Sequence, residues 1–271
     1  MNSTINRSTY LYTWLAFIAV ITVNALANIL PINGYNTGQV SDFYPNYFVP
    51  APFTFSIWGI IYLMLLVYAI TVTIFVEYRL LADHKAKDYI AAIHPWFVIS
   101  CVLNIAWIYT WHHLYITSTV VIMLLLLYSL IQIFNKGRGV LKTFPLYLQF
   151  LLGAPFTIYL GWISVATIAN ITALLVSKGW QGGPLTPEIW SAVMMTVAIV
   201  LALFMLLKFR IAGFSLTIAW ALWGIRASQS AGSEMIARIS MAGVITLLVI
   251  TAIERMVTYF FTANNFKTIG W

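Results

Sequence analysis

The sequence predicts an all-α integral membrane protein of about eight transmembrane helices, and three observations carry that prediction. Hydrophobic residues make up 62% of the chain and charged residues only 8%, against roughly 45–50% and 25% in a soluble domain. Eight apolar segments, each close to the ~20 residues that cross hydrocarbon, recur along the 271 residues. The connections between them are short, which leaves no room for a sizeable aqueous domain. No fixed repeat, low-complexity tract or domain linker interrupts them.

The first segment, 10–31, follows a polar start and has no small-residue cleavage site before the next polar loop, so it reads as a retained anchor. Asn24 and Asn28 lie four residues apart on one face, beside Ala25 and Ala27, a pattern that suits a close helix contact. Interhelical glue is the preferred reading over ligand contact. The loop 31–52 holds four prolines, turn signals at Asn33-Gly34 and Thr37-Gly38, and the aromatics Tyr35, Phe43, Tyr44, Tyr47 and Phe48. It cannot continue a helix and is too aromatic for a linker, so it reads as a folded cap over the bundle end. An interfacial aromatic belt is the alternative, and solvent exposure separates the two.

The second segment, 53–77, opens with Pro50 and Pro52 in its first turn and places Phe55, Trp58 and Tyr62 at i, i+3 and i+7. The third, 95–112, aligns Asn104, Trp107 and Trp111, and the fourth is 114–135. The fifth, 145–176, puts Tyr159, Trp162, Ala166 and Asn170 on one face. Aromatic stripes are usually packing, but here each joins indole or phenol to an amide, as in an apolar cavity with a few polar fixing groups. Amides at mid-span also demand partners.

Three further segments, 188–207, 213–230 and 238–262, complete the count, with tight connections at 112–115 and 208–212. In the seventh, Trp220, Trp223 and Arg226 follow at i, i+3 and i+6, which allows a guanidinium beside an indole. Anchoring at the membrane surface is the preferred role for Arg226. The alternative is contact with an anionic ligand group, with Glu234 or Glu254 as a partner.

The net charge of +7 is read by position, because basic residues orient membrane proteins. Eight spans with a cytoplasmic N-terminus put Arg7, Arg79, Lys85, Lys87, Lys136, Arg138, Lys142, Lys208, Arg210 and Lys267 on one side. The other side receives Lys178, with Arg226 and Arg238 near helix ends. Both termini are therefore expected in the cytoplasm, and the 31–52 loop, which has no Lys or Arg, away from it.

Several chemistries are pruned. No lysine lies within a span, so a retinal Schiff base is not expected, and Asp42, Asp83 and Asp88 are too scattered for Mg²⁺-diphosphate work. His112 and His113 are adjacent, and His84 and His94 lack zinc spacing, so no metal site is expected. The single cysteine, Cys101, excludes an internal disulfide and a thiolate cluster. No Ser-His-carboxylate arrangement is legible, and the charge does not imply nucleic acid.

Three patches, taken in order, resemble the tryptophan-rich sensory protein, or translocator protein (TspO/MBR), family. Pro50, Pro52, Phe55, Trp58 and Tyr62 match its second-helix opening; Leu103, Asn104 and Trp107 match the L-N-x-x-W of its third. Tyr159, Leu160, Trp162, Ala166 and Asn170 match the Y-L-x-W-x-x-x-A-x-x-x-N of its fifth. That family usually has proline before this tyrosine; here Ile158 stands there and Pro155 lies upstream. The resemblance covers residues 10–176 and implies a five-helix bundle over 1–176, capped by 31–52; the three further spans make 177–271 an additional three-helix extension packed on it.

The resemblance also implies a cavity for a tetrapyrrole, a sterol-like molecule or another flat apolar ligand. By position Trp58, Tyr62, Asn104, Trp107, Trp162, Ala166 and Asn170 line or support it, with Arg226 as the candidate contact for an anionic group. The expected function is membrane-embedded binding or sensing of such a ligand; a porphyrin or another apolar ligand is the candidate, and no cofactor is assigned. A transporter of small apolar or amphipathic solutes is the first alternative and a membrane enzyme acting on a pigment or lipid the second. The expected partners are the lipid bilayer and the ligand, with homo-oligomerisation left open, and the small loops suit a bacterial inner membrane.

Overall fold

The computed structural model of the chain describes residues 7–77 and 84–267, with the side chains of 76, 77, 84 and 261–267 left out. Arg79, Asp83 and the side chains of His84 and Lys267, used above, lie outside the described residues. Within them the fold is all-helical. The long helices are α1 (Arg7–Ile29), α3 (Ile57–Glu77), α4 (His84–His112), α5 (Ile116–Leu141), α6 (Leu146–Ser177), α7 (Pro187–Phe209), α8 (Ala212–Ser228) and α9 (Glu234–Lys267); α2 (Thr37–Asp42) is a short helix in the cap loop. Seven helices are long and apolar enough to cross a membrane. The eighth, α8, has 17 residues, roughly 25 Å at 1.5 Å per residue.

Two boundaries differ from the sequence reading. The third apolar segment starts at Pro95, yet α4 begins at His84 and runs through that proline. A proline inside a membrane helix is tolerated when neighbouring helices satisfy the freed backbone. Likewise α5 continues through the polar stretch after 135 to Leu141. The two tight turns are as expected: Leu114 and Arg210 each adopt a left-handed φ of 60°, Arg210 closing the end of α7.

Five helices close a ring: α1 packs on α3 and α4, α3 on α6, α6 on α5, and α5 on α4. The last three helices pack on one another, and α8 joins them to the ring through α6. Helix α6 is central, with 15 of its 32 residues buried. It accepts α8 at close range because Gly161 has no side chain; a Cβ there would fall 3.0 Å from the Phe214 carbonyl oxygen.

Lipid tails are as apolar as leucine, so polar contacts and close packing distinguish one helix face from another. Trp14 Nε1 donates to Thr73 Oγ1 at 2.8 Å, tying α1 to α3. Asn24 Nδ2 donates to Asn104 Oδ1 at 2.7 Å, tying α1 to α4. Tyr89 donates its hydroxyl to the Leu152 carbonyl at 2.8 Å, tying α4 to α6. Asn24 is thus the expected glue, whereas Asn28 is exposed and bonds back to the Asn24 carbonyl.

The 31–52 loop is folded. Its Asn33-Gly34 turn is left-handed, with φ of 57° and 83°, and Asn36 caps α2 through a reciprocal bond pair with Gln39. His112 at the end of α4 fastens it: Nδ1 lies 3.2 Å from the Ile32 carbonyl oxygen and Nε2 lies 3.1 Å from Thr37 Oγ1. A carbonyl only accepts, so Nδ1 carries a proton, and in the neutral ring Nε2 accepts from Thr37. Asn33 Nδ2 donates to the His112 carbonyl, and Trp111 Nε1 to the Thr37 carbonyl, both at 3.1 Å.

The inner face of the loop buries Val40 and Phe48. Its outer face exposes Tyr35 and Phe43, which meet edge-on at 4.8 Å. The cap reading therefore describes one face and the surface-aromatic reading the other.

Candidate ligand cavity

The proline-led turn Pro52–Ser56 delivers α3 into the bundle beside α8. Its start is held by the Ala51 N–H donating to the Gly224 carbonyl at 3.0 Å, and by Trp220 Nε1 donating to the Thr54 carbonyl at 2.9 Å. From this anchored turn Phe55 and Trp58 project at i and i+3. Phe55 meets the Trp162 ring edge-on at 6.1 Å, and Trp58 meets Trp162 at 6.2 Å and Tyr159 at 5.8 Å. From α4, Trp107 and Trp111 stack on each other at 5.6 Å. From α6, Trp162, Ala166 and Asn170 follow at four-residue steps, one face of the helix.

These side chains surround one cavity of about 60 Å³, roofed by Tyr44 and Phe48 of the cap and closed on the far side by Ala221 and Ile225 of α8. Partial burial pushes the Tyr44 phenol above its ordinary range. The wall holds no carboxylate, imidazole, amine or thiol.

The polar atoms of this wall divide into two sets. The Trp111 indole is committed to the Thr37 carbonyl, and the Asn46 amide to the backbone of Tyr44 and Phe48. Trp107 Nε1, Trp162 Nε1 and both amide atoms of Asn170 are buried without a hydrogen-bond partner in the protein. Each such group costs free energy unless something pairs it. They border the same small space.

The structure therefore brings Trp58, Trp107, Trp162, Ala166 and Asn170 together around one cavity. Three other candidates lie elsewhere. Asn104 is absent from the wall; it accepts from Asn24 and donates to the Tyr159 hydroxyl at 2.9 Å, an internal strut between α1, α4 and α6. Tyr62 stacks on Trp58 at 5.6 Å and faces a second hollow of about 390 Å³ between α1 and α3, also bordered by Asn24 and Asn28. Trp58 and Phe55 border both hollows and are their shared partition.

Arg226 is half-buried and lies outside the cavity wall. Among the described residues it has no ion pair or ring contact. Its expected partners are taken: Glu234 pairs with Arg238, and Glu254 with Arg210 and Arg255. Trp220 is held by Thr54, and Trp223 is exposed. Of the seventh-span stripe, Trp223 turns outward and Trp220 serves the packing of the α3 approach on α8.

Sequence reasoning missed the contribution of α8. Ala221 and Ile225 carry no chemical signal, and only the approach of α8 to α6 makes them a wall. Gly224 was the available hint: a Cβ there would fall 1.9 Å from Thr54 Oγ1, so this glycine marks where another segment presses on the helix.

The family model described as TSPO-like protein matches the chain over residues 10–253. The matched region runs from α1 past the five-helix ring and well into α9. No curated protein and no solved structure matches the chain.

Proposed function

Because the chain belongs to the TSPO-like protein family, we propose that its membrane-embedded binding role is exercised in the cavity between α3, α4, α6 and α8, on a largely apolar, flat ligand with a polar edge. The observation that supports this most is the pairing of aromatic walls with the unpartnered Asn170 amide and the Trp107 and Trp162 indole N–H groups. An amide offers both a donor and an acceptor, so the fitting polar edge is a carboxylic acid, amide or lactam-like group. Trp58, Trp107 and Trp162 supply ring faces and edges for the apolar remainder.

A cavity of about 60 Å³ holds only the small end of such a molecule. A tetrapyrrole or sterol enters only by displacing the partition of Trp58 and Phe55 into the neighbouring hollow, or by lifting the cap. That second hollow, on the α1–α3 side, favours a lateral route from the bilayer and makes transport of an apolar solute the second reading. A wall without a carboxylate, imidazole, amine or thiol gives less support to an enzyme. By positional charge, we read both termini as cytoplasmic in a bacterial inner membrane.

Tryptophan fluorescence of the detergent-purified protein, titrated with protoporphyrin and with a sterol, tests the assignment. Saturable quenching is expected for the native chain and its loss in the combined Trp58→Phe, Trp107→Phe, Trp162→Phe variant, followed there by ligand absorbance or equilibrium dialysis. Undiminished binding in that variant removes the site. Flux of the same ligand into sealed proteoliposomes separates carriage from binding.

A further inference from the structure

The end of the molecule opposite the cap carries a second feature, independent of the cavity above. Helices α5 and α8 both pack on α6 but not closely on each other. Between them runs a groove of about 480 Å³. Its apolar lining joins the buried Ile133 and Phe156 to the exposed Phe150 and Leu216, while its rim carries the exposed Arg138, Lys142, Arg210 and Arg255. Phe150 and Leu216 are exposed on the outer surface of the bundle, where lipid chains lie.

The charges of this rim are unbalanced. Glu254 serves both Arg210, at 3.9 Å, and Arg255, at 2.5 Å. Arg138 and Lys142 have no carboxylate partner among the described residues. Arg138 instead rests over the Phe209 ring at 5.0 Å and the Phe134 ring at 5.8 Å, which fixes its guanidinium at the groove mouth. Lys208, outside the lining, adds a further cation 5.6 Å from the same Phe209 ring. The amino end of α8 begins at Ala212, inside the same lining, and its dipole adds positive potential.

We propose that this groove binds one anionic phospholipid, its phosphate held by Arg138, Lys142 and Arg210 and an acyl chain laid along the apolar lining. A charged rim above an apolar trough matches an amphiphile; a free anion would use the rim and leave the trough unfilled. These cations stand at the ends of α5 and α7, where the basic residues of the chain concentrate. By the positional charge rule that end faces the anionic cytoplasmic leaflet.

Native mass spectrometry of the full-length chain, released from nanodiscs of phosphatidylglycerol mixed with phosphatidylcholine, tests this. One retained phosphatidylglycerol per chain is expected, with phosphatidylcholine retained far less. The Arg138→Gln, Lys142→Gln double variant removes two rim cations and should bind phosphatidylglycerol roughly tenfold more weakly or worse. Neither side chain has a carboxylate partner, so its melting in pure phosphatidylcholine should match the native chain. If the double variant does not fold, Lys142→Gln alone, at an exposed position, carries the comparison. Equal retention of the two lipids, or unchanged phosphatidylglycerol affinity in the folded variant, overturns the proposal. So does displacement of the lipid by inorganic phosphate at comparable affinity, which would make this a free-anion site.

Discussion

Asn104 and Asn170 show how little a residue type says until its neighbours are known. Both are buried amides within membrane helices, and both sit in aromatic stripes of the same spacing. Asn104 has a donor from α1 and an acceptor on α6; Asn170 has neither. Their replacements should therefore diverge. Asn104→Leu strands the Tyr159 hydroxyl and one Asn24 N–H, and should cost about 1–3 kcal/mol of stability. Asn170→Leu removes an unpaired polar group and should leave thermal stability equal or higher, while weakening ligand binding by up to about tenfold. Thermal melting of both variants beside a ligand titration checks this, and a destabilised Asn170→Leu would mean that the amide is structural.

The cap and the approach to α3 illustrate the element scale. Neither the ring of His112 nor Gly224 touches the cavity, yet each fixes an element that does. His112→Phe deletes both ring hydrogen bonds to the loop, a loss of about 1–3 kcal/mol in the anchoring of the cap. Limited proteolysis in detergent should then cut within 31–52 faster than in the native chain, with the helices still intact. Gly224→Val sets a branched side chain against Thr54, and overpacking of this kind typically costs about 1–3 kcal/mol. A lowered melting temperature together with weaker ligand quenching is expected, since α8 and the start of α3 would separate.

Element by element, the apolar segments were legible because hydrocarbon demands a long uninterrupted run. The extra turns of α4 before Pro95 were not, because Lys85, Lys87 and Asp88 make that stretch look like a loop. Its helix is held by tertiary contacts: Ala86, Tyr89 and Ile90 are buried against neighbours. Polar outer faces at the membrane surface are compatible with helix, and hydropathy does not register them.

At the scale of the whole molecule, eight long helices in succession make an even number of crossings, so we propose that the start of α1 and the end of α9 face the same side of the membrane. The cap and the Lys178 turn occupy one end, and Lys136, Arg138, Lys142 and Lys208 the other. With Cys101 replaced by serine, single cysteines at Gln39 and at Lys136 should label from opposite sides of sealed cells, Gln39 with an impermeant maleimide added outside. Labelling of both from one side would break the proposed topology.

The amino-acid sequence alone determined that this chain is a membrane protein of about eight long helices, which loop folds over the end and which family its aromatic and amide patches resemble. Those properties follow from composition and local spacing, which each segment carries by itself. Only the tertiary structure decided that five of the seven proposed cavity residues share one small space, that Asn104 is a strut, that Tyr62 faces a second hollow and that Arg226 stands apart. It also made α8 a wall and gathered the cations of α5, α7 and α9 along one groove. Such outcomes depend on which helix faces meet, and between apolar surfaces that choice rests on a few hydrogen bonds and close glycine contacts spread across distant parts of the chain.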